Sequence, residues 1–119
     1  MSAVSAQSLY TAEEYLRLER SAAYKSEFHH GQIYAMTGAN RKHNLVCGNI
    51  CRELSQQLKS RPCEAYISDM RVKVVAAHSY HYPDIAVVCG PAQFEDAQLD
   101  TLLNPTVLIE VLSPSTEAF

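Results

Sequence analysis

The chain has 119 residues, with ten Lys and Arg against thirteen Asp and Glu, for a net charge of −3. At roughly 150 residues per domain this is room for one compact unit, able to hide about two-thirds of its unfolded surface. With 47% hydrophobic and 19% charged residues, no apolar run of about 18 residues, and neither a basic start nor a long apolar stretch in Met1-Ser2-Ala3-Val4-Ser5-Ala6, the chain reads as globular: not disordered, not membrane-spanning, and without a secretory signal. The slightly acidic balance leaves any grip on nucleic acid to a local patch.

Thr11-Ala12-Glu13-Glu14 is a capping box, with Thr at the N-cap and Glu three residues on, and Tyr10 and Tyr15 fit a hydrophobic staple. A short helix to about Arg20 is predicted. Tyr24–Phe28 and Gln32–Met36 flank His29-His30-Gly31 and read as a hairpin, where Gly31 supplies positive φ and His30 is a weaker turn residue than Asn or Asp. Asn40 is a plausible N-cap for a helix running to Ser60. Cys47, Ile50, Cys51, Leu54 and Leu58 form its apolar stripe, and Arg61-Pro62 ends it.

Three strand signals follow. The first is Ala65 to Val75, with Met70, Val72 and Val74 on one face and Asp69, Arg71 and Lys73 on the other. The second is Tyr80 to Cys89, closed by Gly90-Pro91. Gln93 to Asn104 reads as a polar loop or a single helical turn. The third strand, Thr106 to Leu112, is nearly all apolar, as in a central strand covered on both faces. Ser115 or Thr116 would cap another helix within about a turn of the end, so the chain is expected to be part of a longer domain.

Cys47, Cys51, Cys63 and Cys89 include no Cys-x-x-Cys pair, which removes zinc-ribbon and thioredoxin readings. Cys47 and Cys51 would point the same way on a helix, a poor geometry for a disulfide. All four are expected as reduced thiols in a cytoplasmic protein. His78-x-x-His81 at strand spacing sends its rings to opposite faces, and with His29 and His30 it does not amount to a zinc site. Arg41, Lys42, Lys59 and Arg61 bracket the long helix and read as solvated surface.

Two signals carry chemistry. Glu110 alternates with Ile109 and Val111 in the apolar strand, where an ionised carboxylate needs a cation or a hydrogen-bond partner. Pro83-Asp84 lies between Tyr82 and the apolar Ile85-Ala86-Val87-Val88, and a proline bulge would re-aim Asp84. Paired strands would bring the two acids to about 5 Å at the backbone. One pKa then rises unless a cation intervenes, and a hard ion with oxygen ligands, Mg²⁺ or Mn²⁺, would settle both.

These residues resemble the motif pair of the PD-(D/E)XK nuclease superfamily. More narrowly, five blocks are similar to the Uma family of restriction-endonuclease-like bacterial proteins: Tyr24 to Met36, His43-Asn44, Ser68 to Val72, Tyr82-Pro83-Asp84, and Asn104-Pro105-Thr106 through Thr116. The resemblance implies an α/β (α+β) restriction-endonuclease-like fold, a mixed sheet flanked by helices. It implies Asp84 and Glu110 as catalytic metal ligands, Glu27 and His43 as further site residues, and DNA as substrate. Asp69 matches too, with Arg71 or Lys73 as its ordinary partner. The superfamily has Lys two residues after the acid, where this chain has Leu112; related families carry that lysine on the following helix. The function expected is thus a metal-dependent endonuclease-like domain, the alternative being a catalytically degenerate binding or assembly module. Apolar sheet left uncovered would make the protein a homo-oligomer.

Overall fold

The protein is described by a computed structural model covering residues 9–113. The expected cap at Ser115 or Thr116 and the Met1–Ala6 stretch lie outside the described residues. Helix α1 (Ala12–Ser21) starts at the capping box: Thr11 Oγ1 accepts the Glu14 N–H at 3.1 Å, and Glu14 Oε1 accepts the Thr11 N–H at 2.8 Å. Its buried Tyr15 and Leu16 pack on the hairpin β1 (Ser26–His29) and β2 (Gln32–Ala35). The turn between them has φ of 52° at His30 and 75° at Gly31, the paired positive φ that suits a hairpin's twist.

Helix α2 (Arg41–Gln57) begins where Asn40 Oδ1 accepts the His43 N–H at 2.9 Å. The stripe read from the sequence, with His43, is its half-buried face, while its other residues are exposed. The strands that follow depart from the reading above. Ala65–Val75 is not one strand: β3 (Cys63–Ile67) and β4 (Arg71–Val74) are separated by a turn at 68–70 and belong to different sheets. Tyr80–Cys89 likewise divides into β5 (Ser79–His81) and β6 (Ile85–Cys89), because Pro83 lacks the N–H a continuous ladder needs. β4 does not keep the expected alternation, since Arg71 is buried and Val74 exposed. Within 93–104 a short strand, β7 (Thr101–Leu102), forms in place of a plain loop.

One sheet runs β2-β1-β5-β4-β7; the other runs β3-β6-β8, with β8 at Val107–Ile109. β8 is therefore not central among the described strands. It pairs only with β6, and Val107 and Leu108 are 46% and 47% exposed. The strand buried on both faces is β6, with Ile85 through Val88 all buried. The sheets meet through Val72 and Leu102 of the first and Ala86 and Val88 of the second. A second core stacks Tyr15, Phe28 and Tyr80, and Tyr15 Oη donates to the Ser26 carbonyl at 2.6 Å.

The expectation of four reduced cysteines is overturned for two of them. Antiparallel pairing of β3 with β6 sets Cys63 opposite Cys89, Cα to Cα 4.0 Å, and the two form a disulfide. Cys47 and Cys51 are free thiols. No described helix is long and apolar enough to cross a membrane.

Candidate active site at the seam between the sheets

Two of the chain's crossings between the sheets are at 68–70 and at 82–84, and the chemistry-bearing residues collect beside the one at 82–84. β6 and β8 pair Ile85 with Ile109, so the next pair in register is Asp84 and Glu110. The two acids are tied reciprocally. The Asp84 N–H donates to Glu110 Oε1 at 3.2 Å, and the Val111 N–H donates to Asp84 Oδ2 at 2.7 Å. Loss of solvent around Glu110 and then the negative charge of Asp84 push its carboxyl above the usual range.

His43, in the first turn of α2, reaches the same point. Its Nε2 lies 3.2 Å from Asp84 Oδ2 and 3.0 Å from the Val111 carbonyl oxygen. Both are acceptors when Asp84 is ionised, so Nε2 carries the proton and Nδ1 faces the Cys47 thiol at 3.7 Å. Burial, then Asp84 and Glu110, hold the Cys47 thiol above its ordinary value.

Glu27 enters from the other sheet. β1 pairs antiparallel with β5 at Phe28 and Tyr80, so Glu27 faces His81. Glu27 Oε1 is 3.6 Å from His81 Nδ1, and its Oε2 accepts the Tyr82 N–H at 3.0 Å. Burial raises the Glu27 carboxyl, but the close approach of His81 and the hydrogen bond from the Tyr82 N–H outweigh it and leave it below the ordinary carboxylate value. The nearby Glu27 carboxylate, working against partial burial, lifts His81 above the ordinary imidazole value, and the charge of Glu110 adds to the lift. Glu27, Val72, Val74, His81, Pro83, Leu108 and Glu110 line a cleft of about 280 Å³.

Buried polar groups fix the crossing. Tyr82 Oη donates to Glu19 Oε2 at 2.7 Å and accepts from Arg71 Nη1 at 2.9 Å. Arg71 Nε donates to Thr101 Oγ1 at 2.9 Å, and its Nη2 sits 3.0 Å from Asp100 Oδ2 as an ion pair without hydrogen-bond alignment. Arg20 also holds Asp100, through both carboxylate oxygens at 2.8 and 2.9 Å, and brings its carboxyl down to about 2.

The structure thus gathers Asp84, Glu110, His43 and Glu27. Asp69 is excluded: it is exposed, and its partner is Lys25 at 3.0 Å, not Arg71 or Lys73. His81 and Cys47 are site neighbours that the sequence did not single out for chemistry. Cys47 stands four residues after His43 on one helix, a spacing that carries the signal; His81 has none within its own segment.

Residues 12–119 match the family model Uma2, described as "Putative restriction endonuclease". The chain is 37% identical over 119 residues to "Uncharacterized protein sll1609" of Synechocystis sp., covering 67% of it. It is 36% identical over 107 residues, 90% of this chain, to "Uncharacterized protein slr1290" of the same organism, covering 55% of that protein. In fold it is similar to the crystal structure of "a putative nuclease belonging to DUF820" from Anabaena variabilis, with a TM-score of 0.69 and 22% identity over 88% of this chain and 59% of that one. The chain therefore spans between about half and two-thirds of the length of these relatives. The fold is restriction-endonuclease-like, and the chain belongs to the Uma2 family.

Proposed function

We propose that the protein contributes the active site of a metal-dependent endonuclease acting on DNA, with Asp84 and Glu110 as ligands of Mg²⁺ or Mn²⁺. The observation that carries this reading is the pair of carboxylates on adjacent strand ends, each hydrogen-bonded by an amide beside the other. The donor set fits a hard cation: carboxylate oxygens of Asp84 and Glu110, with the Val111 carbonyl turned to the point His43 Nε2 now touches. It also fits by charge, since Asp84 raises the Glu110 carboxyl, a repulsion a divalent ion would relieve. When bound, such an ion polarises a phosphoryl oxygen and acidifies a water.

The chain's own residues supply the rest. His43 orients Asp84 through Nε2–H. Glu27 positions His81 at the mouth of the cleft that Glu110 lines. His81 keeps its proton to higher pH than an ordinary imidazole, and its protonated form would offer phosphate a positive charge although Leu112 stands where the superfamily has lysine. The test is DNA cleavage by the full chain with Mg²⁺ or Mn²⁺. Asp84→Asn and Glu110→Gln should each lower the metal-dependent rate at least about a hundredfold, in the range of losing a key electrostatic group. Metal binding by calorimetry that neither substitution weakens would refute the assignment. The alternative, a binding module without cleavage, is favoured by Leu112; it would show DNA retention with no metal-dependent product.

A further inference from the structure

We propose that His43, Cys47 and Asp84 form a second, distinct cation site, for a borderline-soft divalent ion of the zinc class. Its occupation removes Asp84 from the hard-cation pair. That consequence rests on the Asp84–Glu110 reading above; the site itself does not.

Imidazole, thiol and carboxylate are the three side-chain types zinc takes as ligands. Here one atom from each lies within 4.8 Å of the others. His43 and Cys47 are four apart on α2, so they share a helix face by construction. Nε2 is 3.2 Å from Asp84 Oδ2 and 3.8 Å from Cys47 Sγ. Zinc bonds of about 2.0 Å to N and O and 2.3 Å to S, set tetrahedrally, separate N from O by about 3.3 Å and N from S by about 3.5 Å. Both separations from Nε2 are therefore close to those one ion needs. The thiol lies nearly as far from Nδ1, at 3.7 Å, so coordination through Nε2 asks Cys47 to swing about its Cα–Cβ bond. Asp84 Oδ2 also accepts the Val111 N–H, the kind of support that orients a ligating carboxylate.

Protons and charge balance. The Cys47 thiol releases its proton to solvent as the S–metal bond forms. The Nε2 proton leaves for water and another is taken up at Nδ1, so Nε2 presents its lone pair. One thiolate and one carboxylate neutralise the ion, and water takes the fourth position. An N/S/O set of this kind prefers Zn²⁺ over Mg²⁺ by ligand softness, and over Mn²⁺ by the general affinity order of the first-row metals. Cys47 has no part in the nuclease reading, and this site gives it one.

The experiment uses the full chain under reductant, titrated with Co²⁺ alone. A thiolate-to-cobalt charge-transfer band together with intense four-coordinate d–d bands is expected, both bleached by one equivalent of Zn²⁺. Cys47→Ser should abolish the charge-transfer band and weaken Zn²⁺ binding by about tenfold or more, and His43→Gln should weaken it similarly, while Cys51→Ser keeps both. In wild type, Zn²⁺ should displace bound Mn²⁺ seen by electron paramagnetic resonance, and in Cys47→Ser it should do so only at correspondingly higher concentration. Absence of the band, or its persistence in Cys47→Ser, overturns the site. A wild type that binds Co²⁺ through Cys47 but never binds Mn²⁺ upholds the site and overturns the hard-cation reading alone.

Discussion

Glu110 and Asp84 could be picked out from the sequence because an acid inside an apolar run is costly and must be answered by something. His81 could not, because its partner Glu27 sits on another strand and only the β1–β5 register brings them face to face. Asp69 shows the converse. It matched a pattern, yet its neighbours on the chain are not its neighbours in space, and Lys25 from before β1 takes it. The His81–Glu27 pair makes a residue-scale prediction. His81 is raised above 6.5, so the pair's stabilisation is full below that pH and is lost as pH rises through the raised value. The imidazole resonances of His81 should titrate with a midpoint above 6.5, and Glu27→Gln should bring it down; a midpoint indifferent to that substitution would contradict the pairing.

Among the elements, both helices and the hairpin were legible because their signals are local: the capping box at Thr11, the Asn40 cap, the stripe on α2, the Gly31 turn. The strands were legible as extended chain but not as pairings. Nothing local in Ala65–Val75 says that its halves join different sheets, since strand partners are chosen by distant residues. The same ignorance of pairing hid the disulfide. Cys63 and Cys89 close a loop of 26 residues in sequence separation. By chain entropy such a cross-link contributes about 3–4 kcal/mol. The double replacement Cys63→Ser/Cys89→Ser should lower urea-unfolding stability by that order, and wild type with reductant should match it; equal stability of all three would show that the bridge is not formed in solution.

Over the whole molecule, two features bear on assembly. β8 offers Val107 and Leu108 to solvent at the edge of the smaller sheet, and Leu112 beyond it is 65% exposed. Helix α2 exposes Leu45 and Val46 as well. Apolar groups on an open sheet edge favour association. The chain as given should elute as a homo-oligomer by light scattering, and Val107→Lys should shift it toward monomer; a monomeric wild type at high concentration would remove the prediction.

Two of the passages of chain from one sheet to the other, at 68–70 and 82–84, stand next to each other, because β3 meets β6 at Ile67 and Ile85 while β4 meets β5 at Val72 and His81. The sheets are thus joined like two pages along a short spine. Glu27 stands on one page, Asp84 and Glu110 on the other. Because Val72 and Leu102 of one page pack against Ala86 and Val88 of the other, the gap between these carboxylates is held by the same core that binds the pages, and loosening that core would unsettle the cleft.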